Sequence, residues 1–152
     1  MTAVADTCSA VLGTTADDAW IGFQRAHREL ARRLESALVE RHNLSLSALE
    51  VLGHVAAQED RMRRLSRLAE DTSLSISRVS RIVDALVRRG LVERQPCPAD
   101  TRATNARITD AGLELVRAAQ ADHRHDVHAA FHERLTDEER AVLAEAFGKL
   151  LT

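Results

Sequence analysis

The sequence predicts a mainly α-helical fold with one small β-hairpin, and three observations carry that prediction. Apolar residues recur at every third or fourth position through long stretches near both ends and through shorter stretches in the middle, the spacing that lines one face of a helix. Between Leu91 and Thr109 this rhythm gives way to alternation, in LVERQ and again in TNARIT, on either side of the turn-forming run PCPADTRA. That pattern reads as two strands and a long tip. Finally, 152 residues at 45% hydrophobic content are enough for one substantial core.

The elements follow in order. Residues 1–16 are small, polar and unpatterned, and are expected to form a mobile N-terminal segment. From Asp17, the series Trp20, Phe23, His27, Leu30, Leu34 and Leu38 marks a first helix reaching about Arg41. Ser47 with Glu50 three positions later has the form of a capping box, placing a second helix over Leu49, Leu52 and Val55. Leu65, Leu68 and Ala69 predict a short third helix, DTSLS a turn, and SISRVSRIVDALVRRG a fourth helix with an apolar stripe of Ile76, Val79, Val83 and Leu86, flanked by Ile82 and Val87. Gly90 is placed to end it, because glycine accepts the left-handed conformation common at a helix C-terminus. Pro96 and Pro98 cannot sit inside paired central strands and are assigned to the hairpin tip. Leu113, Val116, Gln120, His123, Val127 and Phe131 predict a fifth helix from Asp110, and Thr136 with Glu139 a second capping box before a last helix carrying Val142, Leu143, Ala146, Phe147 and Leu150.

Charge is unevenly distributed. The total is only −2, yet from Arg61 to Arg107 there are 11 arginines against 5 acidic residues, a net of +6 that leaves −8 for the flanks. A central third of one sign points to a polyanionic partner. Two short helices joined by a tight turn, the second rich in exposed arginine and serine, match a helix-turn-helix whose second helix enters the major groove. Ala69 is the small residue that lets the two helices approach, and Ser73 stands where such turns often carry glycine. A groove about 12 Å wide admits short donors and acceptors close to the bases and long cations that reach base edges or phosphates. Ser75, Ser77 and Ser80 are the short ones, with Arg78, Arg81 and Arg88 the long ones. On the hairpin tip, Asp100 stands two residues before Arg102, where the carboxylate can orient the guanidinium, and a projecting arginine suits a narrow, strongly negative minor groove.

The run LSALEVLGHV, the segment LSRLAEDTSLSISRVSRIVDALVRRGLVER, the D-x-R of PADTRA and ITDAG leading into a long helix together resemble the winged helix-turn-helix regulators of the MarR family, over about Asp17 to Leu151. The resemblance implies a homodimer that binds a pseudo-palindromic double-stranded operator, usually as a repressor, and is released by a small molecule or oxidant. It also implies that Arg102 enters the minor groove with Asp100 as its support. Residues 45–108 are then the DNA-binding domain, and residues 17–44 and 109–152 are dimerisation helices whose apolar stripes the central unit is too small to cover.

Other features bear on signal and compartment. Trp20, Phe23 and His27 suggest one wall of a pocket, for which the resemblance implies a small aromatic or anionic effector, and His27 and His123 both fall within apolar stripes. His125, His128 and His132, spaced by three and four, raise a zinc-responsive alternative, and Cys8 and Cys97 a redox-responsive one. An enzyme, specifically a helical metallohydrolase built on that histidine cluster, is the rival from another class. It lacks HExxH, a glycine-rich phosphate loop and a nucleophile elbow. The expectation is therefore a non-enzymatic regulator with no cofactor and no bound metal. With two cysteines, no membrane-spanning run and no basic segment ahead of the first apolar patch, the expected location is cytoplasmic.

Overall fold

The computed structural model describes residues 15–97 and 100–151, with side chains for residues 18–96 and 104–151. The elements are α1 (Thr15–His42), α2 (Leu46–Ala56), β1 (Met62–Arg64), α3 (Leu65–Thr72), α4 (Ile76–Arg88), β2 (Val92–Cys97), β3 (Asp100–Ile108), α5 (Asp110–Ala130), a 3-10 turn (His132–Arg134) and α6 (Asp137–Leu150). The expected order of four helices, hairpin and two helices is present, with one strand added. The N-terminal segment expected to be mobile, including Cys8, falls mostly outside the described residues.

The chain divides into two units, one ending at Arg33 and the other running from Leu34 to Thr152. In the first, α1 stacks Trp20 on Phe23 and Phe23 on His27, with ring centroids 6.0 and 6.1 Å apart. These rings form an exposed ladder, with Trp20 at 49% and Phe23 at 42% exposure. His27 is exposed too, so its place in an apolar stripe does not bury it.

In the second unit α2 lies at the centre of the core. Val51, Leu52 and Val55 are fully buried, together with Leu38, Leu68, Val79 and Val83, and Val116 and Ala119 of α5 join the same cluster. The start of α2 differs from the sequence expectation. Ser45, in extended conformation, is the N-cap, and its hydroxyl accepts from the Ala48 backbone N–H at 3.1 Å. Ser47 lies inside the helix and Glu50 is exposed. The reason is tertiary: the Leu46 N–H, an orphan donor of the first turn, donates to Glu35 Oε2 at 2.8 Å, which fixes the start two residues earlier.

α3 and α4 are joined by a turn at Ser73, whose φ of 54° is left-handed, so the position that favours glycine is filled by a strained serine. α4 buries Val79, Val83 and Leu86. Ile76, the fourth residue of the predicted stripe, is instead 58% exposed, because as the first helical residue it projects beyond the end of the core. Arg89 caps the helix and Gly90 follows with φ of 70°.

The sheet has three antiparallel strands in the order β1-β3-β2. β1 was not foreseen; it pairs Met62 with Arg107 and Arg64 with Asn105. Pro96 lies within β2 opposite Thr104, not in the tip. β2 is an edge strand, where a missing N–H costs no ladder bond, and the register shifts between Pro96 and Cys97. Pro98 lies outside the described residues. The base of the hairpin is locked to α5: Thr109 donates from its N–H to Leu91 O at 3.1 Å and from its hydroxyl to Gly90 O at 2.8 Å. A Cβ on Gly112 would stand 2.1 Å from the Leu91 carbonyl oxygen, so only glycine allows this approach.

Candidate nucleic-acid interface

The face of α4 opposite its buried stripe is polar and cationic. Ser77, Arg78, Arg81 and Arg88 are all exposed. Ser75 is exposed as well, but its hydroxyl is the helix N-cap, accepting from the Arg78 N–H at 3.3 Å. Arg78 extends a guanidinium N–H toward Ser47 Oγ on α2 at 3.4 Å, and Arg81 donates from Nε to Ser77 O at 3.4 Å. Both contacts are long, and each leaves most of the guanidinium donors available. Among the described residues Arg88 makes no hydrogen bond or ion pair. Arg78, Arg81, Ile82 and Ala85 border a shallow concavity of about 380 Å³ along the helix.

Ser80 sits differently from the other serines of the helix. It is half-buried, and Arg94 of β2 donates to its hydroxyl at 2.7 Å and to its carbonyl at 3.2 Å. The same guanidinium donates from Nε to Asp84 Oδ1 at 3.0 Å. One arginine thereby neutralises the acidic group of α4 and fastens β2 to the helix. A parallel arrangement holds β1 to α3, where Arg63 donates to both oxygens of Asp71 at 2.9 and 3.0 Å. On α3, the hydrogen bond and charge of Glu70 raise the pKa of Arg67 further, so that pair carries matched charge. The unmatched positive charge therefore concentrates on α4.

At the far end of the helix, Arg89 donates to Asn43 O at 2.6 Å and to His42 O at 3.1 Å, satisfying carbonyls at the C-terminus of α1. The His42 ring meets Asp122 of α5 at 2.8 Å, and Arg41 pairs with Asp126. These contacts fix the end of α4 to the end of α1, and that end of α1 to α5.

Sequence reasoning brought Ser75, Ser77, Arg78, Ser80, Arg81 and Arg88 to one helix, and the structure divides them by role. The exposed face holds Ser77, Arg78, Arg81 and Arg88, while Ser75 starts the helix and Ser80 anchors the wing. Asp100 and Arg102 belong to β3, with Asp100 opposite Cys97; their side chains, and that of Cys97, lie outside the described ones. Arg94 and Ser47 were missed because each acts through a partner remote in sequence. The only signal for Arg94 was its place in GLVER, and for Ser47 its small hydroxyl facing the arginine-rich segment.

A second feature lies between α2 and α5. Leu46, Leu49, Gly53, Ala57, Gln120 and His123 line a largely apolar cleft of about 550 Å³, with Glu50 and His54 at its polar edge. Nδ1 of His123 is buried there without a hydrogen-bond partner, an arrangement that costs free energy until something donates to it or accepts from it.

The histidine cluster does not converge as its spacing suggested. His132 lies past the end of α5, in the 3-10 turn. Its ring is 5.7 Å from that of His128, while His128 Nδ1 faces Glu133 at 3.2 Å. Among the described residues no group of three or more His, Cys, Asp or Glu side chains is placed to hold a metal ion. Among the same residues no helix is long and apolar enough to cross a membrane.

Comparison with known proteins agrees with this geometry. A model of the MarR family matches residues 42–103, the segment from the end of α1 into β3. The HTH-type transcriptional regulator MhqR of Bacillus subtilis (strain 168) is 26% identical over 111 residues, covering 71% of this chain and 72% of its own. Among solved structures, AbsC, a MarR family transcriptional regulator from Streptomyces coelicolor, superposes with a TM-score of 0.83 at 28% identity, covering 92% of this chain and 95% of its own. Sco3205, a MarR family regulator from the same organism solved in complex with DNA, gives 0.85 at 28% identity, covering 92% and 88%. With a helix-turn-helix whose second helix exposes serine and arginine, a three-stranded wing braced by Arg94, and this match in sequence and structure, the chain is similar to the DNA-binding transcriptional regulators of the MarR family, whose model it matches over residues 42–103.

Proposed function

We propose that the protein is a homodimeric repressor that binds a pseudo-palindromic operator through α4 and the hairpin tip, and that a small aromatic or anionic molecule releases it. The observation that carries this reading is the exposed row of Ser77, Arg78, Arg81 and Arg88 on a helix whose opposite side is fully buried. Such a helix cannot turn its cations away from a partner without unpacking Val79, Val83 and Leu86. The relative solved with DNA, similar over most of both chains, supports the same use of this surface here. Arg102, beyond the tip, is assigned to the adjacent minor groove and Asp100 to its orientation.

Residues 45–108 act as the DNA-binding domain in this reading, and 17–44 with 109–152 as the dimerisation helices. The exposed Trp20 and Phe23 on α1, and separately Val142 and Leu150 on α6 with Leu151 just past its end, supply the apolar surface that a second copy would cover. Twofold symmetry then sets two α4 helices about 34 Å apart, one duplex turn. The α2–α5 cleft is the proposed effector site: its lining suits an aromatic body, and the unpartnered His123 Nδ1 suits a polar substituent. Its site of action is the cytoplasm.

A salt series tests the reading. Duplex fragments recovered by selection from genomic DNA should bind far more tightly than random duplex, and log affinity should fall with log salt at a slope of roughly −0.9 for each neutralised phosphate. A flat response, or equal binding to random DNA, would overturn it. Addition of a small aromatic carboxylate such as salicylate should weaken binding to the selected duplex, and His123→Leu should blunt that effect without changing affinity in its absence.

A further inference from the structure

The exposed face of α4 contains one residue that the cationic reading leaves unused. Ile76 is the first residue of the helix and is 58% exposed, a large aliphatic side chain set among Ser75, Ser77 and Arg78. Val79 and Val83 on the same helix are fully buried, so the core is complete without it. Ile76 and Ser80 are one turn apart and share a side of the helix, the side where Arg94 docks β2. That docking fixes the helix against the wing and leaves Ile76 projecting from its free N-terminal end.

We propose that Ile76 reads a thymine, through contact of its side chain with the C5-methyl group in the major groove. The inference rests on the DNA-binding reading above and adds a base preference to it. The methyl of thymine is the single apolar feature that a base pair presents in that groove, and it is recognised by apolar side chains, whereas the neighbouring hydroxyls and guanidinia recognise donors, acceptors and phosphate. The surroundings of Ile76 favour this partner over an apolar protein surface: Arg78 and Arg81 follow within five residues, both exposed, and would lose hydration without compensation against apolar protein. A polyanion carrying methyl groups satisfies both kinds of side chain at once. The first turn is also the part of such a helix that approaches base edges most closely.

The experiment replaces the thymines of a selected operator one at a time by deoxyuridine, which removes only the methyl group, and measures affinity for the wild-type protein and for Ile76→Ala. The expected result is one thymine per half-site at which the replacement weakens wild-type binding about fourfold, the effect of uncovering one methyl-sized group, and leaves Ile76→Ala unaffected. Ile76→Ala folds normally by circular dichroism in this account, since the side chain is mostly exposed and lies outside the buried stripe of the helix, and it retains the salt slope of the wild type. Tolerance of deoxyuridine at every position, or the same loss in both proteins, would overturn the assignment while leaving the DNA-binding reading intact. Failure of wild-type protein to prefer any operator over random duplex would remove that reading and this one with it.

Discussion

Helices α4 and α6 are nearly equal in length, 13 and 14 residues, and are held in opposite ways. α4 has a fully buried stripe, a side chain of β2 bonded to its middle and an arginine at its end that grips α1. α6 has no fully buried residue, only the half-buried Arg140, Leu143 and Phe147, and leaves Val142 66% exposed. What keeps α6 helical is local. Its capping box is complete, with Thr136 and Glu139 exchanging hydrogen bonds of 2.8 and 3.2 Å, and three acidic residues stand at the positive end of its dipole. The difference teaches that one helix is positioned by a buried stripe of its own and the other chiefly by its start, and the exposed Val142 and Leu150 of α6 are the surface that the proposed second copy would cover.

The comparison can be broken most severely at Leu86. Leu86→Ala should cost about 2–5 kcal/mol of unfolding free energy by leaving a cavity under α4, read as a lower denaturant midpoint, and should abolish DNA binding near the melting temperature. Thr136→Ala is the corresponding insult to α6 and should cost about 1 kcal/mol. Its effect should be confined to faster amide exchange in the first turn of α6, with α4 protection unchanged. The smallest effect sharpens the contrast: Val142→Ser should change stability by less than about 0.5 kcal/mol in dilute protein, yet sedimentation equilibrium should show weaker self-association. A large loss of stability in dilute Val142→Ser would mean that α6 is packed by its own chain after all.

Much of this division is legible in the amino-acid sequence. The three-and-four spacing of Val79, Val83 and Leu86 located the buried side of α4, and the Thr136–Glu139 pair located the start of α6, because both signals depend on residues within one or two turns. Signals that depend on distant partners were not legible. Ser45 and Ser47 are equally good caps by type, and it is Glu35 that decides between them. β1 is three residues of MRR with no alternation to reveal it, and it exists as a strand only because β3 pairs with it. Ile76 fits the apolar period of its helix, but periodicity says nothing of where the core ends. The exposed arginines of the site were readable from charge alone, whereas the anchoring of Ser80 by Arg94 required the wing to be in place. The α2–α5 cleft joins residues some 70 positions apart, such as His54 and His123, and no local pattern marks it.

The close approach of Gly112 to the Leu91 carbonyl has a mechanical consequence. With no room for even a methyl group between the start of α5 and the strand leading out of α4, and with Thr109 bonded to both Gly90 and Leu91, that joint has no play. Any tilt of α5 that preserves the fold is passed directly to the root of the hairpin, as through a welded crank and not a hinge. In the proposed reading, an effector seated between α2 and α5 would therefore reach the wing through this joint without having to touch it.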